Sequence, residues 1–384
     1  MANGIWNQAI KRFSAKGLAG DLSLAAVSAP LAAQDGSAPQ KPPVPQLQAD
    51  GSVQMPPVQL DMPGSFTDEA RHAFLDYYNR GGDPAFKGDV TEIRKIYDTQ
   101  WAGPVLERWE ANFPVKTERR QIAGVSVDIV TPRDGVAPDR QNKVLINFHG
   151  GGFFIGNGGI GGRLEAVPMA GLGGYRVVTV DYRQAPEARY PAATDDALAV
   201  YRELLKQYGA ANIGVYGSSA GGMLAGQLIA RLQMEGLALP SSVTIMAAGL
   251  AMRGANDSQY WLLGLTGATV RTDLPVPQIP SYFGPEDFAD AQAFPAESAE
   301  SLAKFPPTLV LTSSRDALLG NALDTHVRLI EAGVDADLYV RHGFGHSYFT
   351  QVADLPEAIA AWRVTVAFFD RHFKLKSQRE QDRP

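Results

Sequence analysis

Ile213-Gly214-Val215-Tyr216-Gly217-Ser218-Ser219-Ala220-Gly221-Gly222 is the stretch on which the reading of this chain turns. An apolar, strand-like run leads into a G-x-S-x-G pattern, and a helix-prone stretch follows from about Gly222. A serine placed between the end of a strand and the start of a helix occupies a tight, strained turn, and small neighbours at 217 and 221 leave its hydroxyl uncrowded. The helix aims unpaired N–H groups and the positive end of its dipole at negative charge developing on that oxygen. Ser219 is thus the candidate nucleophile. A Gly/Ser-rich loop would spell the same five letters, so the assignment depends on partners elsewhere in the chain.

Upstream, Lys143-Val144-Leu145-Ile146-Asn147-Phe148 reads as a buried strand that runs into His149-Gly150-Gly151-Gly152-Phe153. Three glycines expose backbone donors without side chains. An oxyanion hole needs N–H groups about 2.7–3.1 Å from the developing charge, and each can lower the barrier by roughly 3–4 kcal/mol. The bland alternative is a flexible loop. A phosphate loop is weaker still, because neither G-x-x-x-x-G-K-[ST] nor G-x-G-x-x-G with an acid about 20 residues on is present.

A base must come from His72, His149, His326, His342, His346 or His372. In an architecture with this elbow the order is Ser, then Asp or Glu after a late strand, then His in a loop after the last strand. Pro307–Thr312 is a strong strand signal with Asp316 just beyond it, and Ala336–Val340 is the next strand, opening into Arg341-His342-Gly343-Phe344-Gly345-His346-Ser347-Tyr348-Phe349. Gly343 and Gly345 free His346 to reach back toward Ser219, which favours it over His342, read as a surface or supporting residue. His72 and His326 fall on helical patterns, His372 lies in a basic C-terminal turn, and His149 is expected to orient the glycine loop.

The order HGGGF, GSSAGG, Asp, His resembles the hormone-sensitive lipase family of esterases, a branch of the α/β-hydrolases. Asp181-Tyr182-Arg183-Gln184-Ala185-Pro186-Glu187 is similar to that family's DYRLAPE signature, Phe305-Pro306-Pro307 to its LPP element, and the loop 342–348 to its EGMxHGF element. The resemblance covers roughly residues 65 to 374. It implies Ser219 as nucleophile, His346 as base and then acid, and Asp316 as the group orienting the imidazole. It further implies oxyanion donors at Gly151, Gly152 and Ala220, with Gly150 open as a replacement for one of them. Asp181, Arg183 and Glu187 would form a structural charge network beside the site. The chain departs from the family at Ser218, where Asp or Thr is frequent, and at Asp316-Ala317-Leu318-Leu319-Gly320, which lacks a proline and a second acid of the DPLxD element. These departures leave the three side chains intact and bear on substrate preference.

The 384 residues are 45% hydrophobic and 20% charged, with a net charge of −6. That is enough chain for a large core, and an α/β fold commonly holds 200–300 residues in one domain. The acidic balance and the lack of a basic stripe with interleaved aromatics argue against nucleic acid. Without a cysteine, disulfides and thiolate sites are excluded; with no H-E-x-x-H helix, no metal is implied, and no cofactor either. Residues 1 to 60 stand apart. Lys11, Arg12 and Lys16 precede a small-apolar stretch ending Leu31-Ala32-Ala33, which reads as an export signal, hence a periplasmic or secreted protein, against a cytoplasmic one with an amphipathic N-terminal helix. Residues 34 to 60 are a Pro/Gln-rich linker expected to lack regular structure. The domain itself is expected over 61–376, with a polar tail at 377–384.

A helix is expected from Ser65 or Thr67 to Arg80-Gly81-Gly82 and another from Val90 toward Trp109, with the sheet beginning at Val125. Strand and helix alternate thereafter, which predicts a mostly parallel sheet with helices on both faces and ligand binding at the carboxyl ends of the strands. Residues 61–115 and 252–294, with Trp101, Trp109, Trp261, Tyr282 and Phe283, read as a helical cap over those ends. The expectation is an α/β-hydrolase acting on a small-molecule ester, short to medium acyl by the resemblance, with no transmembrane span and a homodimer allowed. An amidase or lactonase would use the same triad. A non-catalytic small-molecule receptor on this fold is the reading from another class.

Overall fold

The computed structural model describes residues 45–49, 53–55, 61–79, 89–251, 258–259, 262 and 282–375. The export-signal reading, the first helix's expected end at 80–82, Trp261 with most of the 252–281 stretch, and the tail from 376 fall outside the described residues. The chain divides after Leu60 into two units. In the first, β1 (Gln46–Leu47) pairs antiparallel with β2 (Val53–Gln54), a short ladder in a segment expected to have none.

The second unit holds an eight-stranded sheet in the order β10-β9-β8-β7-β5-β6-β4-β3. Its strands are β3 (Val115–Ile122), β4 (Val125–Pro132), β5 (Val144–Phe148), β6 (Val177–Val180), β7 (Ile213–Ser218), β8 (Ser242–Met246), β9 (Thr308–Ser313) and β10 (Ala336–Arg341). All neighbours from β6 to β10 pair parallel, while β3 and β4 run antiparallel at one edge. The sheet therefore starts one strand earlier than the expected Val125. β3 reads Val-Lys-Thr-Glu-Arg-Arg-Gln-Ile and is exposed between its ends. Such a charged strand carries no hydrophobic alternation, yet charge is what protects a sheet edge from pairing with other chains.

Interior strands are the opposite case. All five residues of β5 are buried, because helices cover both faces of a parallel sheet. Alternate residues serve opposite layers. Val144, Ile146 and Phe148 join a core with Leu198 and Tyr201 of α5 (Ala192–Tyr208) and Leu224 and Leu228 of α6 (Ala220–Met234). Leu145 joins the other core, with Leu164 and Val167 of α4 (Ile160–Gly173) and Trp362 and Phe369 of the last helix, Pro356–His372.

Before the sheet come α1 (Asp68–Asn79), α2 (Val90–Ile96) and α3 (Gly103–Asn112). Thr67 caps α1, its hydroxyl accepting from the Ala70 amide at 3.1 Å, so the later of the two expected starts applies. The stretch expected as one helix from Val90 is divided by a π-helical turn at Tyr97–Ala102. Pro104 follows after Gly103, and its missing N–H would leave a regular ladder short by one bond. Trp109 is fully buried and stacks on Phe113, and Tyr282 is fully buried against Phe153; both are packing residues. Beyond β8 lie α7 (Ala299–Leu302), α8 (Leu319–Glu331) and α9 (Tyr348–Gln351), making the Pro356–His372 helix α10. Among the described residues no helix is long and apolar enough to cross a membrane.

β5 and β7 are neighbours, with Phe148 paired to Gly217. From β5 the chain goes through α4 to β6 on one side, and from β7 through α6 to β8 on the other. Diverging connections leave a crevice at the carboxyl ends of the two strands. The glycine loop and Ser219 both lie there.

Candidate active site

Ser219 joins β7 to α6 with φ 52° and ψ −120°. This is backbone that non-glycine residues avoid, at a cost on the order of 1–3 kcal/mol. The Ser219 amide donates to the Met246 carbonyl at 2.8 Å, and the side chain caps nothing in α6, so the hydroxyl stays available. A Cβ at Gly217 or at Gly221 would land on the Phe148 carbonyl oxygen. The elbow can thus lie backbone to backbone against the start of the glycine loop only if both positions lack a side chain. Gly221→Ala is expected to destabilise the fold by about 3 kcal/mol or more, read as a fall in the urea midpoint; a midpoint equal to that of the native chain would contradict the close approach.

The other candidates arrive on the expected loops. Asp316 follows β9 and is fully buried. Its carboxylate accepts from the Leu318 amide at 2.8 Å and the Thr312 hydroxyl at 3.1 Å. His346 follows β10 in a loop held by several bonds: Ser313 Oγ donates to the Gly345 carbonyl at 2.8 Å, Gln351 Nε2 to the His346 carbonyl at 2.8 Å, and the Gly343 amide to Ser314 Oγ at 2.8 Å. Gly343 has φ 91°, and a Cβ there would strike Phe66 and Pro63. His346 Nδ1 lies 2.8 Å from Asp316 Oδ1 and its Nε2 lies 2.9 Å from Ser219 Oγ. The network assigns the tautomer: Nδ1–H donates to the carboxylate, and the serine hydroxyl donates to Nε2. The imidazole side chain is 38% exposed, so the nucleophilic corner is open while its acid is enclosed. His342 stays outside, with its Nδ1 3.3 Å from Ser65 Oγ.

The glycine loop is fixed from behind. His149 is fully buried and stacks on Tyr182 at 4.3 Å; its Nδ1–H donates to the Gly150 carbonyl at 2.6 Å, and the Tyr182 hydroxyl donates to the His149 carbonyl at 2.7 Å. Burial lowers its pKa to about 4, so the ring is neutral at pH 7. Gly151 and Gly152 have φ of 123° and 61°, turning the loop in a way that side chains resist. The Gly151 and Gly152 amides, and that of Ala220 at the first position of α6, donate to no other protein acceptor among the described residues. The Gly150 amide is taken, donating to Glu165 Oε1 at 3.1 Å. Of the four amides considered, Gly150 is the one with no bond to offer.

Two findings differ from expectation. Asp181, Arg183 and Glu187 do not form one network; they pair separately, Asp181 closely with Arg119, Arg183 with Asp196 at 2.8 Å, and Glu187 with Arg94 at 2.6 Å. Spaced along the loop, the three side chains each meet a different part of the fold and take a different partner. The second is Glu165, which sequence reading passed over. It is buried on α4, a helix otherwise lined there by Leu164, Ala166, Val167, Met169 and Ala170. Oε1 accepts from Ser218 Oγ at 2.7 Å as well as from Gly150, and Oε2 accepts from Asn147 Nδ2 at 2.8 Å. Burial raises its pKa to about 7 against the pull of these donors. An acid in a helix whose only other charge is Arg163, itself paired with Glu110, is the signal that could have found it, because a charge among apolar residues has to be satisfied inside.

With this geometry in place, residues 145–350 match the family model described as the alpha/beta hydrolase fold. Esterase LipI of Mycobacterium tuberculosis is 30% identical over 241 residues, covering 58% of this chain and 71% of that protein. The versiconal hemiacetal acetate esterase of Emericella nidulans is 34% identical over 139 residues, 35% of this chain and 46% of that protein, so the chain spans just under half of that relative. Among solved structures, esterase E25 superposes with a TM-score of 0.72 at 31% identity, over 84% of this chain and 99% of that one. An esterase from the bacterial hormone-sensitive lipase family does so with 0.66 at 25%, over 81% and 99%. The chain belongs to the α/β-hydrolase family, in its hormone-sensitive lipase branch, and by class it is a carboxylic ester hydrolase.

Proposed function

We propose that the chain is a serine carboxylesterase that cleaves short to medium acyl esters through an acyl-enzyme. The observation carrying this is the continuous line Ser219 Oγ, His346 Nε2, His346 Nδ1, Asp316 Oδ1, with links of 2.9 and 2.8 Å. In the first half-reaction Ser219 Oγ attacks the ester carbonyl carbon while its proton passes to Nε2. The imidazolium is stabilised by the buried Asp316 carboxylate. Charge on the carbonyl oxygen is taken up by the amides of Gly151, Gly152 and Ala220, donors with no competing acceptor among the described residues. Collapse expels the alcohol oxygen with the proton from Nε2, leaving the acyl group on Ser219. In the second half, water gives its proton to Nε2, attacks the acyl carbon, and the carboxylic acid leaves as Ser219 Oγ recovers its proton.

The acyl preference is supported by relatives named acetyl-hydrolase in Streptomyces hygroscopicus and acetyl esterase in Salmonella. Across p-nitrophenyl esters from C2 to C16, kcat/KM is expected to peak at C8 or shorter; a peak at C12 or beyond would overturn the short-to-medium assignment. Segments 61–115 and 252–294 are proposed as the cap. A homodimer is also proposed, since edge strand β10 leaves Leu338 and Val340 exposed; a monomeric mass by sedimentation would remove it.

A further inference from the structure

Glu165 is a buried carboxylate to which the proposed chemistry gives no part, and its position is unusual. Its side-chain oxygens accept from three places: Asn147 Nδ2 within β5, the backbone amide of Gly150 in the glycine loop, and Ser218, the residue preceding the proposed nucleophile. In each bond the carboxylate accepts. The Ser218 hydroxyl and the Gly150 amide converge on one oxygen, Oε1. A Cβ on Gly150 would sit 3.0 Å from Ser218 Oγ and 3.5 Å from Ser219 Cβ, so the loop and the elbow are in contact where this oxygen holds them. No cation pairs with Glu165 among the described residues; the structure gives up that compensation and keeps the carboxylate buried.

We infer that Glu165 is a positioning residue that ties the glycine loop to the nucleophile elbow and so fixes the aim of the Gly151 and Gly152 amides relative to Ser219 Oγ. The inference rests on the proposed serine mechanism and extends it. By engaging the Gly150 amide, the carboxylate sets the orientation of the peptide immediately before the two donors. It also holds Ser218, the buried last residue of β7, against Gly150. Oxyanion donors count only where charge develops, so an error in their aim lowers kcat and leaves ground-state binding nearly untouched.

The test compares Glu165→Gln, Glu165→Leu and Ser218→Ala in the full chain, with p-nitrophenyl butyrate as substrate and a butyl trifluoromethyl ketone as a tetrahedral-adduct inhibitor. Gln retains an acceptor for Gly150 and Ser218, and Asn147 Oδ1, buried without a partner, can receive its amide after a flip of the Asn147 side chain. A loss of about 2- to 5-fold in kcat is expected for Gln, about 3- to 10-fold for Ser218→Ala, and about 10- to 100-fold for Leu, each with KM within 3-fold. The ketone Ki is expected to rise in proportion to the fall in kcat/KM, which a merely structural loss of folded protein would not produce. Should the Leu chain fail to fold, Gln and Ser218→Ala still give two points on that line. Folded variants with native kcat, or with lost kcat and an unchanged ketone Ki, would overturn the inference. Ser219→Ala in the same assay separates the two readings: its retained activity would sink the serine mechanism, whereas an inactive Ser219→Ala beside a fully active Glu165→Leu sinks only the role given to Glu165.

Discussion

Ser219→Ala is expected to lower kcat for p-nitrophenyl butyrate by about 10⁵-fold or more while the protein stays folded. Removing a serine nucleophile from such a unit costs on the order of 10⁶ in kcat, because histidine and carboxylate have nothing left to activate. The substitution is mild for the fold. Alanine keeps the Cβ already accommodated at φ 52°, the backbone bond to Met246 is untouched, and the hydroxyl serves no cap. The unfolding midpoint should therefore stay close to the native value. Residual hydrolysis within 100-fold of native, after contaminating esterases are excluded, would mean that another group attacks the ester.

Asp316→Asn is expected to cost about 10⁴ in kcat, as when the equivalent carboxylate of a Ser-His-Asp unit becomes an amide. The reason is the tautomer. An amide NH₂ turned toward His346 Nδ1 makes that nitrogen an acceptor and moves the ring proton to Nε2, where it can no longer receive the Ser219 proton. Local bonds favour that orientation only in part, since the Leu318 amide and the Thr312 hydroxyl both donate to the carboxylate now. An amide oxygen can satisfy one of them. The variant should thus lose some stability along with activity, by about 1–3 kcal/mol for the donor left unpaired. Native-like kcat in Asp316→Asn would show that the 2.8 Å contact with His346 plays no part in turnover.

The parts of the fold legible in the sequence are those whose residues have one physical use. Buried parallel strands such as Val144–Phe148 and Thr308–Ser313 are continuous apolar runs, because both faces meet helices. The glycines at 217 and 221 mark a place where backbones touch. Ser219, Asp316 and His346, singled out by the order of these motifs, are the side chains that lie within hydrogen-bonding reach of one another. What was not legible depends on tertiary contact. β3 looks like a polar linker because its stability comes from pairing with β4 along all eight residues and not from burial. The π-helical turn before Gly103 keeps a helical pattern in the residues around it and changes only the bond register. Asp181, Arg183 and Glu187 lie within one short stretch of the chain, and their partners at 119, 196 and 94 are set by the fold. Glu165 is one charge among apolar neighbours, and its three donors come together only when β5, the glycine loop and the elbow meet.

The most direct test of the central claim is covalent labelling with a fluorophosphonate, followed by fragmentation of the labelled peptides. One adduct per chain is expected, on Ser219, forming in step with loss of esterase activity and absent from Ser219→Ala. An adduct on Ser218, Ser313 or Ser314 instead, or full activity after complete labelling of Ser219, would contradict it.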